Sequence, residues 1–302
     1  MRKSYLSILA IVFVFILTGC AGDGGKDVKG DGNDGGGEEP EVPIVMSDEI
    51  INDIIQSIPS PLEITTLIQE GGAIYNRDEM NDDDAVSKYT TNFKKALNLG
   101  VYGTDLGYAN IYGKNQDAIS YLNSVQTLAK GLAIEQFFDY KTLKRLAESA
   151  DNLDSLILTT TQNFEKINYH LREQKRESLS ILLLTGGWVE ATYLTTLVYN
   201  KKPNSALKDK IGEQKIVLGQ ILLVLDVYRN KPGFPELIDD LRELQKVYDN
   251  IEIETKFVEP EMVEKNGELI FIDKSISEIN ITEDHIKQIT SLVNSIRDTL
   301  IE

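Results

Sequence analysis

Two carboxylates lie close to aromatic side chains in segments that are otherwise apolar and rich in glycine. Each of them, Asp105 and Glu190, has a tyrosine three residues away. A carboxylate among aromatic walls is typical of a small polar ligand pocket, and two carboxylates that share a pocket raise the pKa of one of them. The residues of this candidate ligand pocket are Tyr102, Asp105, Tyr108, Trp188, Glu190 and Tyr193.

The same segments also have a purely structural interpretation. Glycine inside a helix costs about 0.5–1 kcal/mol relative to alanine, so Gly103, Gly107, Gly186 and Gly187 indicate close approach of helix backbones. We expect both acids to lie near the domain interior and to accept hydrogen bonds from tyrosine hydroxyls, backbone amides or a basic side chain, because a buried carboxyl without a partner costs several kcal/mol. In the structural interpretation the partners are tyrosine hydroxyls, since buried tyrosines need partners themselves. The sequence leaves the ligand pocket and the tight packing open as alternatives.

Other catalytic and metal-binding arrangements are missing from the sequence. The histidines, His170 and His285, are far apart and lie outside any HExxH frame, and there is no G-x-S-x-G elbow. The acidic run at 78–84 lacks the central glycine and the final glutamate of an EF-hand loop. We therefore expect no metal, no cofactor and no catalytic residue. A hydrolase acting on envelope glycan or peptide through a carboxylate pair stays open as an alternative, since two acids suffice for it.

Helical periodicity predicts the elements that position these residues. The domain from 47 to 302 is expected to be mainly α, a multi-helix bundle. Residues 178–199 and 211–228 are apolar nearly all round, as in helices at the centre of a bundle, and polar side chains interrupt both too often for a membrane span. Another helix is predicted over 85–99, ended by Gly100.

Near the C-terminus the sequence period changes from helix to strand. Apolar and polar residues alternate over 251–257, and an apolar run at 268–272 follows the turn signal Asn266-Gly267. This pattern predicts one small β-hairpin at about 251–273, packed on the bundle because an isolated hairpin is only marginally stable. A last helix is predicted to begin after the capping residue Thr282.

The first twenty residues predict a lipid anchor. Arg2 and Lys3 precede an apolar run too short to span a bilayer, and Leu17-Thr18-Gly19-Cys20 resembles the bacterial lipobox. Residues 1–19 are therefore predicted to be a lipoprotein signal peptide and Cys20, the only cysteine, to be the acylated residue that holds the protein in the outer membrane. Stable anchoring requires more than one acyl group on this cysteine.

Residues 20–46 are predicted to be the lipidated cysteine and a flexible tether. Residues 21–43 include eight glycines and seven acidic residues, a composition that cannot bury a core. A glycine-rich segment of this length reaches roughly 25–30 Å. Acidic residues soon after a lipidated cysteine resemble the surface-export signals of Bacteroidetes lipoproteins, which favours the cell surface over the periplasm.

The charge of the protein argues against two classes of partner. The formal net charge is -17, and removal of the signal peptide with its two basic residues, Arg2 and Lys3, makes it -19. So acidic a protein is not expected to bind nucleic acid or anionic lipid.

Three segments resemble a set of uncharacterised helical lipoproteins of Bacteroidetes. They are Ile58-Pro59-Ser60-Pro61, the segment 102–112, and Gly186-Gly187-Trp188-Val189-Glu190. The resemblance implies the source and the helical topology of the domain, and it implies no catalytic residue. Since the common catalytic motifs are also missing, we expect a membrane-anchored, non-enzymatic binding or interaction module for an unknown protein or small molecule.

Overall fold

A computed structural model describes most of the residues that follow position 45. The described residues are 46–58, 68, 74–147, 153–256, 258, 261–265, 268–272 and 276–302. The predicted signal peptide, the predicted acylation site Cys20 and nearly all of the predicted tether lie outside them. So do the Asn266-Gly267 turn and residues 59–61 of the first family-like segment.

Nine α-helices make up most of the described residues, which confirms the predicted mainly α bundle. They are α1 (Asp48–Ser57), α2 (Asn92–Ile111), α3 (Asn115–Gly131), α4 (Tyr140–Ala147), α5 (Leu153–Glu173), α6 (Ser178–Lys201), α7 (Ser205–Val227), α8 (Phe234–Asp249) and α9 (Glu283–Ile301). Short 3-10 turns at Arg77–Glu79 and Asp83–Lys88 precede α2, and a third at Glu135–Phe137 precedes α4.

Polar side chains and one glycine fix where several helices begin. Thr91 at the start of α2 and Asn204 at the start of α7 each accept a hydrogen bond from the backbone N–H three residues further on. Thr282 caps α9: its hydroxyl oxygen accepts from the His285 backbone N–H, and its own backbone N–H donates to Nδ1 of His285, which completes a capping box. Before α8, Gly233 adopts a φ of 85°, a conformation that glycine tolerates best.

Helices α2 and α6 form the central pair of the bundle. Helix α3 packs on α2, helices α7 and α9 pack on α6, and α8 packs on both α7 and α9. Among the described residues, α6 is the one helix long and apolar enough to cross a membrane, but 83% of its apolar window is buried inside the domain. Its all-round hydrophobicity is that of a central bundle helix.

Glycines allow the backbones of the central pair to approach each other closely. A Cβ atom at Gly100 would overlap a backbone carbonyl oxygen of α6, and one at Gly186 would overlap a backbone carbonyl oxygen of α2. At the same crossing, the Thr104 hydroxyl donates to the Gly187 carbonyl oxygen at 3.2 Å. The predicted close approach of helix backbones is therefore found where α2 crosses α6.

Helix α2 differs from the helix predicted over 85–99. It begins at Asn92 and continues through Gly100 to Ile111, while the residues before it form a 3-10 turn. The prediction that Gly100 ends the helix was wrong because this glycine faces α6 directly. The close packing there offsets the low helix propensity of glycine.

Two pairs of short strands form between α8 and α9. Strand β1 (Glu252–Lys256) pairs with β4 (Ile276–Asn280), and β2 (Glu261–Lys265) pairs with β3 (Glu268–Ile272) in an antiparallel register that matches Val263 with Ile270. A small β-hairpin near the C-terminus was predicted and is confirmed. The two predicted strands, over 251–257 and 268–272, do not pair with each other, however, because β1 pairs with β4 and β3 pairs with β2. Strands β2 and β4 were not predicted.

The described residues divide into two compact units. The larger unit comprises Ile44–Glu254 and Glu278–Glu302 and therefore includes all nine helices, while the smaller one includes the β2–β3 pair. Within the larger unit, β4 packs on α7, because a Cβ atom at Gly212 would lie 2.5 Å from Cγ2 of Ile279.

Candidate functional site

The two predicted carboxylates come together at the centre of the larger unit. Asp105 lies on α2 and Glu190 on α6, and the close crossing of these helices leaves both side chains with no exposed surface. The negative charge of Glu190 acts directly on the Asp105 carboxyl group. The sequence prediction placed the two acids near the domain interior, and the structure agrees.

Arg297 of α9 neutralises Glu190. Its Nε atom donates to Glu190 Oε2 at 2.7 Å and its Nη2 atom donates to Oε1 at 3.0 Å, which is a bidentate ion pair. The guanidinium carbon lies 4.1 Å from the centre of the Tyr193 ring, a cation–π contact. Burial disfavours the charged guanidinium, but Glu190 and Asp105 raise its pKa above the ordinary value, so Arg297 stays cationic.

Asp105 is the one member of this ionic cluster without a full set of partners. Its Oδ2 atom accepts a hydrogen bond from the Asn81 backbone N–H at 3.2 Å, whereas Oδ1 has no donor among the described groups. Burial raises the pKa of the Asp105 carboxyl well above its ordinary value of 3.8, and the charge of Glu190 raises it further, against a lowering by Arg297. A protonated Asp105 can donate to Glu190, and the cluster then contains one cation and one anion.

Tyrosines near the cluster bind backbone carbonyls rather than carboxylates. Tyr102 donates to the Asp82 carbonyl oxygen at 2.6 Å, and Tyr121 of α3 donates to the Asn81 carbonyl oxygen at 3.0 Å. These bonds attach the segment before α2 to the helices, which places the Asn81 N–H against Asp105. Of the three kinds of donor predicted for the two acids, the structure shows a backbone amide for Asp105 and a basic side chain for Glu190, whereas the nearby tyrosine hydroxyls Tyr102 and Tyr121 bind elsewhere.

The six residues predicted as one pocket occupy different places. Trp188 points to α7, where its indole N–H donates to Gln214 Oε1 at 2.9 Å. Tyr108 stacks on Tyr75 with ring centres 5.5 Å apart and packs edge-on to Tyr112 at 5.0 Å. Only Asp105, Glu190 and Tyr193 meet at Arg297. The larger unit also has an apolar cavity on the other side of α2, and none of the six is among the described residues that line it.

Arg297 was not among the candidate residues, although its position gives a signal. It lies four residues after Val293 and three before Leu300, both buried on the core-facing side of α9. A charged residue on the apolar face of a helix requires a buried partner, because an unpaired charge in a core costs several kcal/mol. The sequence could have indicated that Arg297 is paired but not with which carboxylate.

An apolar cavity of about 290 Å³ lies on the other side of α2. The described lining comes from α1 to α6 and consists mainly of aliphatic and aromatic side chains. Its apolar walls are Ile55, Ile58, Leu99, Leu106, Leu122, Val125, Phe138, Leu143, Phe164, Ile167, Leu183 and Leu184. Two residues of this lining, Gln56 and Glu165, are exposed, so the cavity opens to solvent at the surface of the domain and is not a closed internal void.

Gly103 forms part of the cavity wall. A Cβ atom built on it would meet no heavy atom within 4 Å, in contrast to Gly100 one turn earlier. The interpretation of Gly103 as a site of close backbone approach was therefore wrong. This glycine leaves open space on the cavity side of α2, at a position where alanine would favour the helix.

Neither a metal site among the described residues nor a relationship to a known protein was found. The described part of the protein contains no group of three or more His, Cys, Asp or Glu side chains that could hold a metal ion. No protein-family model, curated protein or solved structure matches the sequence or the fold.

Proposed function

We propose that this protein is a lipoprotein of the cell envelope, anchored in the outer membrane through an acylated Cys20, whose helical domain binds a small apolar molecule. The lipobox-like sequence before Cys20 supports the anchor, and the acidic, glycine-rich tether supports exposure at the cell surface. The observation that carries the binding function is the apolar cavity of about 290 Å³ beside Gly103. Pockets for small molecules are typically of this size and character.

The carboxylate pair supports structure more than hydrolysis. A hydrolase needs two carboxyl groups that face a substrate, but Asp105 and Glu190 have no exposed surface, and Glu190 is neutralised by Arg297. Among the described residues that line the cavity, Glu165 is the one acid. Binding without catalysis is therefore the function that the described site favours.

The cavity predicts how substitutions at Gly103 affect binding. Gly103→Leu should place its side chain in the cavity without a backbone clash and weaken the binding of naphthalene at least tenfold. Gly103→Ala adds only a methyl group and should bind nearly as the wild type does, while gaining about 0.5–1 kcal/mol of stability. Calorimetric titration of the three proteins measures both dissociation constants and enthalpies.

The three titrations must be made on identically prepared proteins. Naphthalene partitions into any membrane or detergent that accompanies the lipid anchor. The heat measured with the Gly103→Leu protein gives the size of this background. Two results together would refute the binding function: equal heats from all three proteins, and thermal unfolding temperatures that naphthalene does not change. They would show that naphthalene does not enter this cavity.

The anchor has a separate test. In cells that are fed a radioactive fatty acid, Cys20→Ala should abolish labelling of the protein and release it from the membrane fraction, because no other cysteine is available. Undiminished labelling of Cys20→Ala would contradict the proposed anchor and leave the cavity unaffected.

A further inference from the structure

We propose that the cavity selects a small single-tailed amphiphile with an uncharged head group, an inference that rests on the proposed ligand-binding function. The volume sets the size of the apolar body. A protein cavity of roughly 150 Å³ holds benzene, so 290 Å³ accommodates an apolar body of about 12 heavy atoms. A two-tailed membrane lipid is far too large for this space.

Several polar groups of the cavity wall already form hydrogen bonds within the protein. Thr104 donates to backbone carbonyl oxygens of α2 and α6, and Thr160 donates to the carbonyl oxygen of Leu156 one turn earlier in α5. The amide of Asn168 donates to Asn52 at 2.9 Å, which joins α5 to α1. The hydroxyl protons of Thr104 and Thr160 are therefore already used, and most of the other described lining residues are aliphatic or aromatic, so this part of the cavity suits a hydrocarbon tail.

Polar groups with unused hydrogen-bonding capacity lie on the α1–α5 side. Gln56 follows Asn52 by one turn of α1, and Thr161 lies on α5 two turns before Asn168. Neither the Gln56 amide nor the Thr161 hydroxyl has a hydrogen-bond partner among the described residues, and both side chains reach solvent in part. An alcohol or amide head group can donate to and accept from these two side chains, and an ester carbonyl can accept from them.

The charge on this side of the cavity disfavours an anionic head group. The described lining contains a single charged residue, the exposed Glu165, and no cation. A carboxylate head would therefore face a like charge on a strongly acidic protein. An amine head gains little in return, because an exposed ion pair with Glu165 is worth only about 0–1 kcal/mol against the hydration that the amine loses.

Three ligands with hydrocarbon tails of equal length test this selectivity. Calorimetric titration of the full protein with 1-decanol, decanoate and decylamine should give the tightest binding for decanol and at least tenfold weaker binding for decanoate. In Glu165→Gln, the preference for decanol over decanoate should shrink severalfold, because the repelling charge is gone. Gly103→Leu should weaken all three ligands alike and serves as the background.

The outcomes separate this inference from the proposed function. Two outcomes would overturn the selection of an uncharged head group. Decanoate could bind as tightly as decanol, or decylamine could bind tightest and lose that advantage in Glu165→Gln. If naphthalene binds in a Gly103-dependent way and none of the three amphiphiles does, the amphiphile is wrong while the binding function stands. If naphthalene also fails, both are wrong.

Discussion

Arg297→Met should lower the free energy of unfolding by about 3–5 kcal/mol, because it leaves Glu190 buried without its counter-charge. Arg297 is only 5% exposed and makes two charge-assisted hydrogen bonds to this carboxylate, and methionine supplies neither the charge nor the donors. Urea denaturation at pH 7, followed by circular dichroism, measures the loss. Adding Glu190→Leu to Arg297→Met should recover most of it, since the double variant buries no unpaired charge.

Asp105→Asn is the matched change in the same cluster, and it should be tolerated. Asparagine resembles the protonated acid, and its amide can donate to Glu190. The folded state raises the pKa of Asp105 above the unfolded value, so this carboxyl favours folding at low pH and that contribution is lost as pH rises from about 3.8 through the folded pKa. The stability of Asp105→Asn relative to wild type should therefore increase with pH over this range.

An outcome in which Arg297→Met keeps wild-type stability would mean that Glu190 reaches solvent in solution. A stability difference between Asp105→Asn and wild type that does not change with pH would show that Asp105 titrates normally.

Gly186→Ala should destabilise the domain by at least about 3 kcal/mol or prevent folding. The added methyl group would overlap the backbone carbonyl oxygen of Leu97 in α2, and a rigid backbone cannot move aside as a side chain can. Thermal and urea unfolding, together with the yield of soluble protein, measure the effect. The same reasoning predicts severe destabilisation for Gly187→Leu, since Gly187 accepts a hydrogen bond from Thr104 at this crossing.

Gly219→Ala is the control for the helix propensity of alanine. Gly219 lies inside α7, and a Cβ atom there would meet nothing within 4 Å. The substitution should stabilise the protein by about 0.5–1 kcal/mol. If Gly186→Ala were as stable as Gly219→Ala, the central helices would have to be further apart than described.

Much of the helical architecture could be predicted because its signals are local. The continuous apolar segments became α6 and α7, and the cap at Thr282 marks the start of α9. The end of α2 was misplaced because Gly100 has the same local sequence signal whether it stops a helix or packs against another one. Strand β2 was missed because three of its five residues are charged and its two apolar residues, Met262 and Val263, are adjacent instead of alternating with polar ones.

The site was predicted only in part because its partners come from distant positions in the sequence. Glu190 and Arg297 are separated by 107 residues, and no periodicity links them. The cavity is harder still to predict, since its described lining comes from six helices and one part of the wall, at Gly103, is open because this residue has no side chain. Aromatic residues near an acid in sequence suggested a pocket there. Tyr102 instead binds a backbone carbonyl, Tyr108 stacks on Tyr75, and the open space lies on the opposite side of α2.

The binding function is tested most directly by locating a bound apolar molecule in the domain. Nuclear Overhauser effects between bound naphthalene and methyl groups of the protein report which side chains lie within a few ångströms of it. We predict contacts with Leu122, Val125 and Leu183, which line the cavity around Gly103. Contacts restricted to exposed aliphatic residues such as Ile216 and Leu223, with none to the cavity wall, would contradict the proposed binding site.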